Sequence, residues 1–176
     1  MAKSLAKRIF LLLSLLVPWA KEAAVAETKI DSSFSPDPNI QKIAEAYALD
    51  AVDVAKEQFG IELDWSDESI VQVEKALAGM RASYLSTKPK PTDEQVYAYA
   101  KGYGSYIGEV FRRNHGARWG IVTLGSQKMP GLQTESGASF WPWAKAFNRI
   151  TKGDEDNVAW YYQVLLKSEK QEKKVD

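Results

Sequence analysis

Cysteine is absent from this 176-residue chain, and histidine occurs once, at His115. Without cysteine there is no disulfide, no thiolate metal site, no thiol nucleophile and no lipid-bearing cysteine behind an export signal. A single imidazole leaves any zinc site to carboxylates, which is not the usual structural or catalytic ligand set, so neither a metal nor another cofactor is expected. No Gly-x-Ser-x-Gly elbow is present to support a Ser-His-Asp arrangement. Long apolar runs are missing too. The run at residues 9–17 is about half of the roughly 20 residues that a membrane-spanning helix needs.

That short run fits an export signal instead. Lys3, Lys7 and Arg8 supply its positive region, residues 9–17 its apolar region, and Ala24-Val-Ala26 a small-residue cleavage site. Cleavage is expected after Ala26. A lone Arg in the charged region gives no twin-arginine signal, so the general export route to the periplasm or the medium is expected. Cleavage takes Lys3, Lys7, Arg8, Lys21 and Glu22 from the 23 residues of each sign, leaving 19 basic against 22 acidic, a net charge of −3. Such a balance argues against nucleic acid or anionic lipid as partner, and no membrane span is expected after cleavage.

What remains is rich enough for a core: 45% of the chain is hydrophobic, with six Trp, eight Tyr and six Phe. Residues 27–37 are Ser-rich and aperiodic and read as a flexible leader, residues 38–168 as one globular domain, and residues 169–176 as a charged tail. Asp37-Pro38 opens a first helix, with Ile40, Ile43, Ala44, Tyr47, Ala51, Val54, Ala55 and Phe59 on one face and Gly60 as its stop. Ser66 reads as the N-cap of a second helix, with Asp67 and Glu68 in its first turn. Thr92 with Gln95 forms a capping box for a third, longest helix that carries Val96, Tyr99, Tyr103, Tyr106, Ile107 and Val110 to Gly116.

Beyond Gly116 the period falls to two, which predicts a strand from Ala117, a turn at residues 125–131, a partner strand at 132–135 and a third strand or crossing near 137–140. Pro142 opens a fourth helix, with Ala144, Phe147 and Ile150 inward. Asp154 caps a fifth. The fold class is therefore α+β: a mainly helical single domain with three N-terminal helices, a small antiparallel sheet over about residues 117–140 and two C-terminal helices.

The run Gly-x-Tyr-x-Gly-Glu-Val-x-Arg-Arg-x-x-Gly-Ala-x-Trp at 104–119, with Leu63-Asp-x-Ser-x-Glu-Ser-Ile70 before it and Gly153-Asp-Glu-Asp-Asn-Val158 after it, resembles a bacterial family known as domain of unknown function 3806. The resemblance spans roughly residues 40–166. It implies a compact α+β domain and brings no activity or ligand with it.

Chemistry concentrates in the same run. Ala100, Gly104 and Gly108 form a stripe of small residues on the third helix, beside Gly102, Ser105, Glu109 and an Arg pair. Each interior glycine costs a helix about 1 kcal/mol relative to Ala, so close packing or close ligand approach must offset it. Glu109 is the candidate catalytic acid/base or ligand-gripping carboxylate; against that stands a structural ion pair with Arg112, Arg113 or Arg118. His115 at the helix end suits a capping role. Arg112, Arg113, His115, Arg118, Trp119, Trp141 and Trp143 join Glu109 as candidate ligand- or partner-binding residues, and Trp141-Pro-Trp143 is either a stacking platform or one buried and one half-exposed ring. Asp154-Glu-Asp156 lacks the spacing of a calcium loop and reads as a cap.

Two functions follow. One is a small exported binding or interaction protein, such as an inhibitor, immunity-type or envelope accessory protein, with a protein or cell-wall component as partner; absent catalytic motifs weigh toward it. The alternative is an envelope hydrolase of glycan or peptide using Glu109, for which Asp64 or Asp154 must supply the second carboxylate.

Overall fold

A computed structural model describes residues 32–172; residues 1–31, with the expected export signal and its cleavage site, and residues 173–176 lie outside the described residues. Five helices and a four-stranded antiparallel sheet make the mainly helical α+β domain that the periodicities predict. In chain order these are β1 (Ser32–Pro36), α1 (Pro38–Phe59), α2 (Ile70–Ser86), α3 (Asp93–His115), β2 (Ala117–Leu124), β3 (Gln127–Thr134), β4 (Ser139–Phe140), α4 (Pro142–Thr151), a 3-10 turn (Asp154–Asp156) and α5 (Val158–Glu172).

The local start and stop signals act as expected at α1 and α3. Asp37 accepts from the Asn39 amide at 2.8 Å ahead of Pro38, and Gly60 closes α1 in the left-handed region. Thr92 and Gln95 form the full capping box of α3, the longest helix at 23 residues. The buried face of α1 is narrower than its apolar pattern, however. Ala44, Ala48, Ala51 and Ala55 face inward while Ile43 is 47% exposed, and Phe59 lies at the surface as well. Small side chains win because α1 packs close on α3, where a methyl added to Gly102 meets Ala51 at an ordinary 3.6 Å.

Several expectations are corrected. The leader is not wholly free: Ser32–Pro36 pairs along its length with Gly120–Leu124 as an edge strand, which an aperiodic polar segment does not announce. The expected turn at 125–131 shrinks to Gly125-Ser126, because Gln127–Thr134 pairs through its length with β2. Helix α2 starts at Ile70 rather than at Ser66, since Asp67 is engaged by side chains from elsewhere. Tyr99 is 52% exposed. On α4, Ala144 is exposed, and Trp143, Ala146 and Ile150 form the inward face. Asp154 caps no helix: Asn157 accepts from the Trp160 amide at 2.8 Å and fills that role. Residues 169–172 of the expected tail continue α5, and Glu169 is buried against Ser136.

The sheet order is β1-β2-β3-β4. Trp119, Leu132 and Phe140 are register neighbours on one face and close the core formed by α3, α4 and α5. No helix among the described residues is long and apolar enough to cross a membrane.

Candidate functional site

Helix α3 is notched where its glycines fall. A Cβ on Gly104 would lie 2.7 Å from the Pro142 carbonyl oxygen and from Trp143 Cα, so the start of α4 rests on bare α3 backbone. A Cβ on Gly108 would collide with the six-membered ring of Trp119 and come within 2.9 Å of Leu132. Both notches are filled by protein, as the packing reading expected.

Trp119 reaches that notch because Gly116, at φ 83° and ψ 119°, turns the chain straight from helix into strand. The indole lies back over α3, and its Nε1 donates to Glu109 Oε1 at 2.8 Å. Arg112 forks onto both carboxylate oxygens, Nε to Oε1 and Nη2 to Oε2, each at 2.8 Å. Arg113 Nε donates to Oε2 at 3.2 Å, and Arg112 Nη2 also reaches Glu45 Oε1 at 3.1 Å. Four donors thus converge on two oxygens of a side chain with 0% exposure.

Burial alone would push the Glu109 carboxyl up. The Arg112 hydrogen bonds, the Trp119 N–H and the charges of Arg112 and Arg113 outweigh it, holding the group below the usual carboxylate range. Arg112 is raised in turn, first by its bonds to Glu109. A glycosidic general acid needs the opposite, a carboxyl held protonated near neutral pH and open to substrate. Glu109 is an enclosed, ionised anchor, and every described partner of its oxygens is a donor.

His115 belongs to a second cluster. Its Nε2 lies 2.8 Å and 3.0 Å from the two Asp67 oxygens, and Asp67 Oδ1 also accepts from Tyr162 on α5 at 2.6 Å and from Asn114 Nδ2 at 3.1 Å. Burial raises Asp67, but bonds from Tyr162, Asn114 and His115 prevail and lower it; burial and the Asp67 bond raise Tyr162. One carboxylate in the loop before α2 therefore ties α3 to α5. Beside it, Trp65 adopts φ 65°, its amide bonded to Tyr106 and its ring stacked 3.9 Å under the Arg113 guanidinium.

Of the residues singled out from sequence, Glu109, Arg112, Arg113 and Trp119 meet in one cluster. Arg118 does not join them: it is exposed, 5.9 Å from the Phe34 ring. Trp143 is buried, donates to Ser105 at 2.7 Å and tilts against Trp119 at 5.7 Å, whereas Trp141 is half-buried. The pair is one buried and one half-exposed ring, with no shared platform. Asp154 and Asp156 pair with Arg149 and Lys145. No group of three potential metal ligands occurs among the described residues. Sequence reasoning missed the roles of Asp67, Glu45 and Trp65, all of which depend on contacts more than 40 residues away along the chain.

Two surface hollows adjoin this frame. A cleft of about 380 Å³ is lined by Arg112, Gly116, Ala117, Arg118, Gln133 and Glu135, with Glu109 behind Arg112. An apolar hollow of about 290 Å³ opens between α1, α2 and α3, lined by Phe59, Met80, Tyr84, Val96 and Tyr99.

No protein-family model matches the chain, and no curated protein matches it. Among solved structures it is similar to a Bacteroides thetaiotaomicron VPI-5482 protein determined by crystallography at 1.50 Å resolution, with a TM-score of 0.55 at 16% identity. The match covers 82% of this chain and 51% of the other, so this chain spans about half of that protein's length. At that identity the likeness concerns the fold.

Proposed function

We propose that the protein is a small exported binding or interaction protein of the bacterial envelope, whose partner is another protein or a cell-wall component. The observation that supports this reading is the enclosure of Glu109: the acid best placed by sequence for catalysis is ionised, fully covered and saturated with donors. The hydrolase alternative through that residue loses its acid/base. Asp64 is occupied in capping Ser66, and Asp154 stands at the α4–α5 junction against Arg149. Two hollows open on the surface of the described residues, and their charged, aromatic and aliphatic linings suit recognition. We further propose membership of the domain of unknown function 3806 family, on the run at 104–119.

Expression of the full chain with fractionation and N-terminal sequencing tests export; a product beginning at Glu27 in the periplasm or medium is expected, and uncleaved protein in the cytoplasm overturns it. Incubation with purified sacculi and with envelope proteins tests the activity. Saturable association without released fragments is expected. Release of soluble glycan or peptide by wild type would restore the hydrolase reading.

A further inference from the structure

The charges around the 380 Å³ cleft can be assigned one by one. Arg112 and Arg113 are matched by Glu109 and Glu45. Arg118 on β2 and Glu135 just past β3 face the same cleft, are exposed, and have no ion-pair partner among the described residues. Register sets the two on one face of the sheet, where they stand unpaired among the described residues. Arg118 is opposite Gln133, so Glu135 is its diagonal neighbour, about 7–8 Å away between backbones.

Each charge has a supporting group on its own side. Arg112 spends Nε and Nη2 on Glu109 and Glu45, and its Nη1 makes no bond among the described residues. It therefore adds a second guanidinium beside Arg118. The Glu135 carboxylate sits over Gly116, where an added Cβ would be 2.7 Å from Oε1. Gly116 ends α3, whose C-terminal turn carries the negative end of the helix dipole.

We propose that this cleft binds a free α-amino acid, its carboxylate between Arg118 and Arg112 with the Gln133 amide alongside, and its ammonium between Glu135 and the C-terminal end of α3. A ligand that carries its ammonium and its carboxylate on one carbon offers a partner to the arginines and to Glu135 at once. A simple anion meets repulsion from Glu135, and a simple cation meets it from the arginines. The volume admits a small side chain. The proposal rests on the binding reading above, of which it names a ligand class.

The test is an amide NMR titration of the purified mature protein with L-alanine, and separately with acetate and methylamine as half-ligands. Saturable shifts confined to residues 116–118 and 133–135 are expected with alanine, with each half-ligand weaker by roughly tenfold or more. Arg118→Ala and Glu135→Gln should each weaken alanine by a similar factor while leaving the melting temperature in place, since both side chains are exposed. Absence of saturable shifts overturns the proposal, as does acetate binding as tightly as alanine with no effect of Glu135→Gln. Either failure leaves the sacculus and envelope-protein assays to judge the binding reading separately.

Discussion

Glu109→Gln preserves shape and removes charge, so it measures what the buried carboxylate contributes. Four donors now meet two acceptor oxygens. An amide offers one oxygen and turns two N–H groups toward the remaining donors, so at least two charge-assisted bonds are lost, each about 1.5 kcal/mol or more. Breaking a buried ion pair costs about 3–5 kcal/mol. Arg112 and Arg113 are 25% and 37% exposed and can recover water, which selects the low end of that range, about 3 kcal/mol. For a domain of this size that is a fall of roughly 10 °C in melting temperature. Urea unfolding at neutral pH, with the slope unchanged between variant and wild type, provides the measurement. A loss below about 1 kcal/mol, typical of a surface ion pair, would refute the anchoring role.

The two carboxylate clusters together set an acid dependence. Glu109 and Asp67 are both lowered in the folded state, so the unfolded chain binds more protons as pH falls into the carboxylate range. Their stabilisation is complete above the unfolded values and disappears as pH drops through the folded ones. Wild type should lose stability progressively below about pH 5, and Glu109→Gln should show a shallower acid limb.

Gly104→Ala places a methyl against α4 backbone and should cost about 2 kcal/mol, whereas Gly102→Ala meets only ordinary contacts and should be neutral or stabilising by up to about 1 kcal/mol; paired urea melts decide it. Asp67→Ala removes acceptors from His115, Asn114 and Tyr162, so a loss of about 2 kcal/mol is expected, with faster amide exchange in α5 than in α1. A chain starting at Asp37 loses β1 and the Phe34 ring over Gly120, and its melting temperature should fall by several degrees; an unchanged value would mean that the edge strand contributes nothing.

The helical frame was legible because caps and stops are local. Asp37-Pro38, the Thr92/Gln95 box and Gly116 act within four residues of themselves, and each ends or begins a helix as read. What sequence could not show is which face a helix buries when two patterns compete. In α1 an alanine stripe and an isoleucine-led stripe overlap, and only the proximity of α3 selects the alanines. Strand β1 carries no pattern at all: its pairing comes from β2, more than 80 residues on. Asp67 read as a helix-dipole partner because nothing nearby announces Tyr162 on α5 or the end of α3.

Gly108, Glu109 and Trp119 stand out individually in the sequence, but their relation runs through the turn at Gly116. The glycine's helix cost of about 1 kcal/mol is offset by the indole it admits, and the indole N–H completes the solvation of the adjacent acid. The three therefore act as one unit, and their substitutions should not add. A methyl at Gly108 meets Trp119 Cη2 at 2.8 Å and must displace the ring, which strips Glu109 of one donor while leaving its arginines. Gly108→Ala should cost about 2–3 kcal/mol alone. In the Glu109→Gln background, where that donor already lacks a full acceptor, it should cost at least about 1 kcal/mol less. Additivity within about 0.5 kcal/mol would mean that Trp119 packs on the notch for its ring alone and that the hydrogen bond to Glu109 is incidental.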